Sequence, residues 1–335
     1  MIAKTFAIAV SVVISIFVGM MLMSFKPGSF ESGGQDLTHH FTFSFKLEIE
    51  NLPDDAKDLE IWIPIPMDNQ HQQVASFEVV SDLDYKIYSD QIYGNKIMYF
   101  SSGEKLPDQI DIEVDFKVAR SENRTIKSKS SSTLEENAAD HSSFEVSNKL
   151  VPLGGIIARE ADSVVEGVTN AFERIEILYD HLTETMRYDK SGEGWGNGDA
   201  LFACDTRTGN CTDIHSLFIS MARSLGIPAR FIIGFPLPEE EEAKLIAGYH
   251  CWAEFYIEGR GWIPVDISEA IKHPEKKEYY FGHLDHNRIS FTMGRDIKLK
   301  AKHGTESLNY FIYPYVLVNG KRFEKIDISF DYKKI

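Results

Sequence analysis

The segment Phe41-Thr-Phe-Ser-Phe-Lys-Leu-Glu-Ile-Glu50 alternates apolar and polar residues with period two. Successive side chains of a strand point to opposite faces, so this pattern predicts a strand with one face buried. Residues 58–65, 76–80, 85–88, 96–100 and 109–119 read similarly, separated by turn formers such as Leu52-Pro53-Asp54 and Gly94-Asn95. Short antiparallel strands with such turns predict a sandwich-like domain over residues 38–150. The period then changes. From Ile157 to Met186 apolar residues recur at three- and four-residue steps, which predicts helix, split in two if the run is too long for one. Gly192-Glu-Gly-Trp-Gly-Asn-Gly198 must be a loop. A further helix runs from Cys211 to Leu225 with Ile214, Leu217, Phe218 and Met221 on its apolar face, and Gly226 and Pro228 stop it. Strands follow at Ala229–Phe235, Tyr249–Ile257 and Trp262–Asp266, and the tail from Phe291 alternates again. The expected fold class is α+β, with a helix-plus-sheet domain at 155–290 and a C-terminal β extension at 291–335.

The N-terminus adds a different pattern. Thr5 to Phe25 contains neither charge nor proline, and as a helix it would cover roughly 30 Å, the thickness of a hydrocarbon core. Residues 5–25 are expected to be a transmembrane anchor, with a cleaved signal segment as the rival. The usual small-residue cleavage pattern is absent, and Lys4 suits a cytoplasmic start. Either way the domains are expected outside the cytoplasm: on a bacterial inner membrane facing the periplasm, or secreted if the segment is cut.

Composition changes this picture little. The chain has 335 residues, 43% hydrophobic and 26% charged, with a formal net charge of −16. An acidic balance without basic stripes speaks against nucleic-acid binding. The three cysteines, Cys204, Cys211 and Cys251, lie around one region. In an oxidising compartment Cys204 and Cys251 could pair and leave Cys211 free; the plainer reading makes both small buried apolar groups.

The chemistry concentrates on Cys211. It opens a helix directly after Thr-Gly-Asn. Unpaired N–H groups at a helix start lower a thiol's pKa and can hold an oxyanion. Period two places His250, Trp252 and Glu254 on one strand face, and the hairpin through Gly261 returns Asp266 close to His250. Nucleophile, base and orienting acid would then stand together. Asp213 reads as a helix-end carboxylate. His215, four residues from Cys211, is a second base or, more simply, structural. Zinc on Cys211, His215 and His250 lacks the usual closely spaced cysteine pair. No metal and no cofactor is therefore expected.

Four blocks in order resemble the transglutaminase-like superfamily. They are Gly209-Asn-Cys-Thr-Asp-Ile-His-Ser-Leu-Phe218, Leu225-Gly-Ile-Pro-Ala-Arg230, Gly248-Tyr-His-Cys-Trp-Ala-Glu-Phe-Tyr256 and Gly261-Trp-Ile-Pro-Val-Asp266. The later stretch Phe281-Gly-His-Leu-Asp-His-Asn-Arg288 is similar to bacterial members. The resemblance implies a papain-like catalytic domain, with Cys211, His250 and Asp266 as the catalytic set. It also implies an upstream side-chain donor for the oxyanion, for which Trp195 is the candidate. The implied chemistry is cysteine-dependent acyl transfer on a peptide or carboxamide, with hydrolysis favoured over protein crosslinking. A non-catalytic assembly module, with a protein partner on the β domain, is the reading from another class.

Overall fold

The computed structural model describes residues 38–103, 106–107, 109–125, 141–239 and 242–335. The proposed membrane segment 5–25 lies outside them. Among the described residues no helix is long and apolar enough to cross a membrane.

The first six strands are β1 (His39–Ile49), β2 (Leu59–Pro64), β3 (Gln72–Ser81), β4 (Tyr85–Ser89), β5 (Lys96–Ser102) and β6 (Ile110–Arg120). The alternation of β1 sorts as its sequence requires, with Phe41, Phe43, Phe45, Leu47 and Ile49 all fully buried. Each such side chain contributes about 1.5–3 kcal/mol on burial. Next come α1 (Gly155–Val164), α2 (Ala171–Thr185), β7 (Arg187–Tyr188), α3 (Ala200–Thr206), β8 (Thr208–Gly209) and α4 (Cys211–Ser224). The long periodic run is thus two helices. Gly167, at φ +80°, takes the left-handed conformation in the link between them. The chain continues as β9 (Ala229–Pro236), β10 (Ala243–Leu245), β11 (His250–Ile257), β12 (Gly261–Val265), α5 (Ile267–Lys272) and β13 (Arg288–Met293). Five strands complete it: β14 (Ile297–Ala301), β15 (Gly304–Leu308), β16 (Tyr315–Val318), β17 (Lys321–Arg322) and β18 (Asp327–Lys334).

Two five-stranded sheets, ordered β10-β18-β1-β6-β3 and β17-β16-β2-β5-β4, form the β domain. Both contain strands from the tail. β18 pairs with β1 from Phe41↔Lys334 to Glu48↔Asp327, and β16 pairs with β2 from Tyr315↔Trp62 to Val318↔Leu59. The boundary expected at residue 291 therefore does not divide the sheets. β13 runs past it to Met293, and the last strands return to the front of the chain. The physical reason is that β1 and β2 would otherwise present an unpaired edge beside a fully apolar face.

The third sheet, β12-β11-β9-β13, is antiparallel. Helix α4 lies against its Cys251, Ala253, Phe255 face, with Phe218 and Phe255 rings 6.4 Å apart. From Cys211 to Arg223 every residue of α4 is buried, polar ones included. Such a helix is a core element. The β domain packs against β9 and β13 of this sheet. Phe43 meets Phe235 and Phe291 at 5.2 and 5.4 Å, and Gln72 exchanges two hydrogen bonds with the Ser290 backbone, both 2.8 Å.

Gly234 makes the closest approach in this sheet. A Cβ there would stand 1.8 Å from the Ile289 carbonyl oxygen, beside the irregular register between Ser290 and Thr292. Backbone cannot move away as a side chain can. Gly234→Ala is expected to destabilise the protein by about 3 kcal/mol or more, read as a fall in the urea midpoint with unchanged slope. An unchanged midpoint would show that β9 and β13 can separate at no cost.

Candidate active site

Cys211 is the first residue of α4, and its position is set by the cap before it. Asn210 Oδ1 accepts the N–H groups of Thr212 (2.9 Å) and Asp213 (3.4 Å), while Asp213 Oδ2 accepts the Asn210 N–H at 3.0 Å. Among the described residues, this reciprocal capping box leaves the N–H of Cys211 itself as the uncapped donor of the first turn. Asp213 is more than a helix-end charge. Its carboxylate also accepts Gly196 N–H at 2.6 Å and Gly198 N–H at 2.8 Å, which pins the Gly-rich loop to the helix start. Gly209 must be glycine here, because at φ +153° a Cβ would lie 2.6 Å from the Cβ of Asp213.

His250 opens β11, and Asp266 follows the last residue of β12. Their side chains meet at 2.7 Å, His250 Nε2–H to Asp266 Oδ2. That bond occupies Nε2 and leaves Nδ1 for the Cys211 thiol, to which His250 is hydrogen-bonded. Asp266 is itself over-determined. Oδ2 also accepts from Arg288 Nη1 at 2.9 Å, and Oδ1 caps α5 by accepting from Glu269 N–H and Ser268 Oγ, both 3.1 Å.

The electrostatics follow from this geometry. Burial alone would push Asp266 upward, but His250 and then Arg288 hold its carboxyl well below the usual range. Burial also opposes a charged His250, yet the Asp266 carboxylate, helped by Cys211, raises its pKa to about 10. The Cys211 thiol lies well below its ordinary value. Its largest support is a hydrogen bond from Cys251; burial works against it, and the His250 imidazolium adds to the lowering. Cys251 is pushed well above the thiol range, first by burial and then by Cys211, so it stays protonated and donates. These directions favour a thiolate–imidazolium pair with a neutral thiol as third member.

The other expected residues fall out as follows. His215 is fully buried, and its bonds fix its tautomer: Ile267 N–H donates to Nε2 at 3.0 Å, so Nδ1 carries the proton and donates to the Cys211 carbonyl at 2.8 Å. Both nitrogens are committed, which makes His215 a strut between α4 and α5. Trp195 stands half-buried between Gly194 and Gly196. What ties its loop to the helix start is the backbone of Gly196 and Gly198. The Cys204–Cys251 disulfide is not formed: all three cysteines are free thiols. The reason is placement, since Cys204 on α3 donates to Glu160 Oε2 at 3.5 Å while Cys251 on β11 faces Cys211 and His215. Arg230 and Glu254 pair at 2.7 Å on the His250 face of the sheet.

Among the described residues His250, Asp266 and Glu269 bring donor atoms within 4.8 Å of one another. Their lone pairs are already engaged by Arg288, by the α5 cap and by each other, so the arrangement suits proton handling better than an ion. Sequence reasoning missed Arg288 and Cys251 as members of the site. Arg288 stood only as the end of a similar block, and Cys251 lies on the opposite strand face from His250, which hides that both reach the same thiol.

Arg288→Met should leave the buried carboxylate of Asp266 and the half-buried one of Asp285 without their shared cation, Arg288 being 2.5 Å from Asp285. The expected loss is about 3–5 kcal/mol at neutral pH in urea denaturation. Asp266 has a depressed folded-state pKa, so its stabilisation is present above the unfolded carboxylate range and lost as pH falls. The gap between wild type and variant should therefore narrow in acid. A gap independent of pH would contradict the ionised state of Asp266.

Comparisons with known proteins agree with the fold. Residues 159–267 match the sequence profile of the transglutaminase-like superfamily. An uncharacterized protein of Haemophilus influenzae is 27% identical over 313 residues, covering 81% of this chain and 85% of that one. The uncharacterized protein YebA of Bacillus subtilis is 26% identical over 122 residues, which is 31% of this chain and 16% of YebA. Among solved structures, a candidate cysteine protease from Cytophaga hutchinsonii superposes with a TM-score of 0.56 at 13% identity, covering 89% of this chain and 93% of that one. At that identity the likeness speaks for the fold alone. Residues 159–267 thus form a transglutaminase-like core, within a chain whose fold is shared with that protein.

Proposed function

We propose that this protein is a thiol-dependent acyl-transfer enzyme acting on peptide or carboxamide bonds, and that it hydrolyses them. The observation that carries the proposal is the buried contact of the Cys211 thiol with His250, whose imidazole is bonded to an Asp266 that also accepts from Arg288. A folding role explains a buried His–Asp pair. It does not explain a thiol beside it whose pKa its neighbours push well down, because perturbed groups of this kind gather at functional sites.

In the proposed reaction Cys211 Sγ attacks the carbonyl carbon, and the developing oxyanion takes the free N–H of Cys211 and the indole N–H of Trp195. The His250 imidazolium gives its Nδ1 proton to the departing amine as the C–N bond breaks, leaving an acyl-thioester. Water, losing a proton to Nδ1, then attacks the thioester carbonyl carbon; the C–S bond breaks, the acid leaves and the Cys211 thiolate is restored beside the imidazolium. Aminolysis by a second amine would use the same groups and yield a crosslink. The uncharged run Thr5–Phe25 supports placing this reaction outside the cytoplasm of a bacterial cell, on or near the inner membrane.

A glutaminyl peptide incubated with and without a primary amine separates the two outcomes. Hydrolysis predicts release of ammonia or a cleaved peptide at a rate the amine leaves unchanged. Amine-dependent turnover with incorporation of the amine would replace hydrolase by transferase. Cys211→Ala and His250→Ala should each lower the rate by at least about a thousandfold. Activity retained in Cys211→Ala would sink the thiol mechanism altogether.

A further inference from the structure

A cavity of about 290 Å³ lies further along the His250 face of the catalytic sheet. Trp252 and Glu254 of β11 and Arg230 and Ile232 of β9 line it from the sheet; Arg120, the last residue of β6, and Leu284 also line it. The reaction described above does not use it.

Arg120 is the unusual member. It is 3% exposed, and its Nη1 donates to Gln72 Oε1 at 3.0 Å and Ser290 Oγ at 3.4 Å. Both acceptors are neutral. Among the described residues its Nε has no hydrogen-bond partner, and the indole Nε1 of the buried Trp252 has none either. The Trp252 ring also contacts Arg288, with guanidinium carbons 5.9 Å (Arg120) and 5.1 Å (Arg288) from its centroid. Nearby charges are otherwise matched: Arg288 by Asp266 and Asp285, Arg230 by Glu254. Arg120 is the cation left over. Burial, and then the Arg288 charge, bring its pKa down to about 9, so it is still charged at neutral pH. A buried guanidinium without an ion-pair partner, facing a cavity whose lining carboxylate Glu254 is already paired with Arg230, is an unfavourable arrangement for the protein alone.

We propose that this cavity binds a small organic monocarboxylate. A guanidinium is a planar donor that matches the oxygens of a carboxylate. The apolar cluster of Ile232, Trp252 and Leu284 receives a short hydrocarbon body. The volume suits a small molecule and excludes a polypeptide segment. One unmatched charge favours a monoanion over the tetrahedral dianion of phosphate.

Calorimetric titration of the full chain with isovalerate, and separately with inorganic phosphate, tests this. Isovalerate should bind saturably at one site in the millimolar range or tighter, and Cys211→Ala should bind it equally well, which separates this cavity from the thiol. Arg120→Lys keeps the charge but loses the planar edge and should weaken binding about tenfold. Arg120→Met should abolish it. If Arg120→Met does not fold, Leu284→Phe, which fills the cavity and keeps Arg120, must lose binding instead. Absence of saturable binding in the wild type, binding unchanged in the Arg120 or Leu284 variants, or phosphate binding as tightly as isovalerate would each overturn the proposal.

Discussion

The Asp266 carboxylate is the interaction on which the rest of the site depends. One oxygen holds the His250 imidazole and the Arg288 guanidinium, and the other caps α5. Three elements are thereby locked to one buried charge: β11 through His250, β13 through Arg288 and α5 through its first turn. His215 adds a further tie by donating to the Cys211 carbonyl of α4 and accepting from Ile267 of α5. The helix that carries Cys211 and the sheet that carries His250 are thus joined by hydrogen bonds as well as packing. A buried carboxylate tolerates this position only because cationic groups face it, and the same carboxylate lifts His250 into the charged state.

From that constraint the thiolate follows. An imidazolium beside Cys211, a protonated Cys251 donating to it and an uncapped N–H at the start of α4 all favour the ionised sulfur. Burial opposes it. The balance resembles other activated thiols in physical kind: a low-dielectric site strengthens each of these contacts. The β domain contributes support from behind, where Gln72 and Phe43 hold β13 against β9 and so fix the register that brings Arg288 to Asp266.

Much of this was legible along the chain because it is local. Period two in β1 and at His250–Trp252–Glu254, the helix start at Cys211 and the hairpin to Asp266 each involve residues close in sequence or facing positions of adjacent strands. What was not legible is what distant segments do to one another. β18 closes the sheet beside β1 across nearly the whole chain, and no local pattern names that partner. Arg288 reaches Asp266 from a strand 22 residues on, and an arginine at a strand start has no signature that separates it from surface charge. Cys251 looked like a disulfide candidate because only pairing, not position, can be weighed from cysteine counts; in the fold its neighbour is Cys211. Asp213 read as a simple helix charge because the glycines that donate to it lie in a loop whose path the sequence leaves open.

The central claim is that Cys211 rests as a thiolate because Asp266 keeps His250 charged. Acid titration of the thiolate absorbance in the ultraviolet, compared with Cys211→Ser and Asp266→Asn, tests it most directly. The account predicts that one thiolate per chain persists through neutral pH and disappears only in acid. That signal should be absent in Cys211→Ser and shifted to higher pH in Asp266→Asn. A wild type whose thiolate absorbance appears only in the alkaline range of an ordinary cysteine would contradict it.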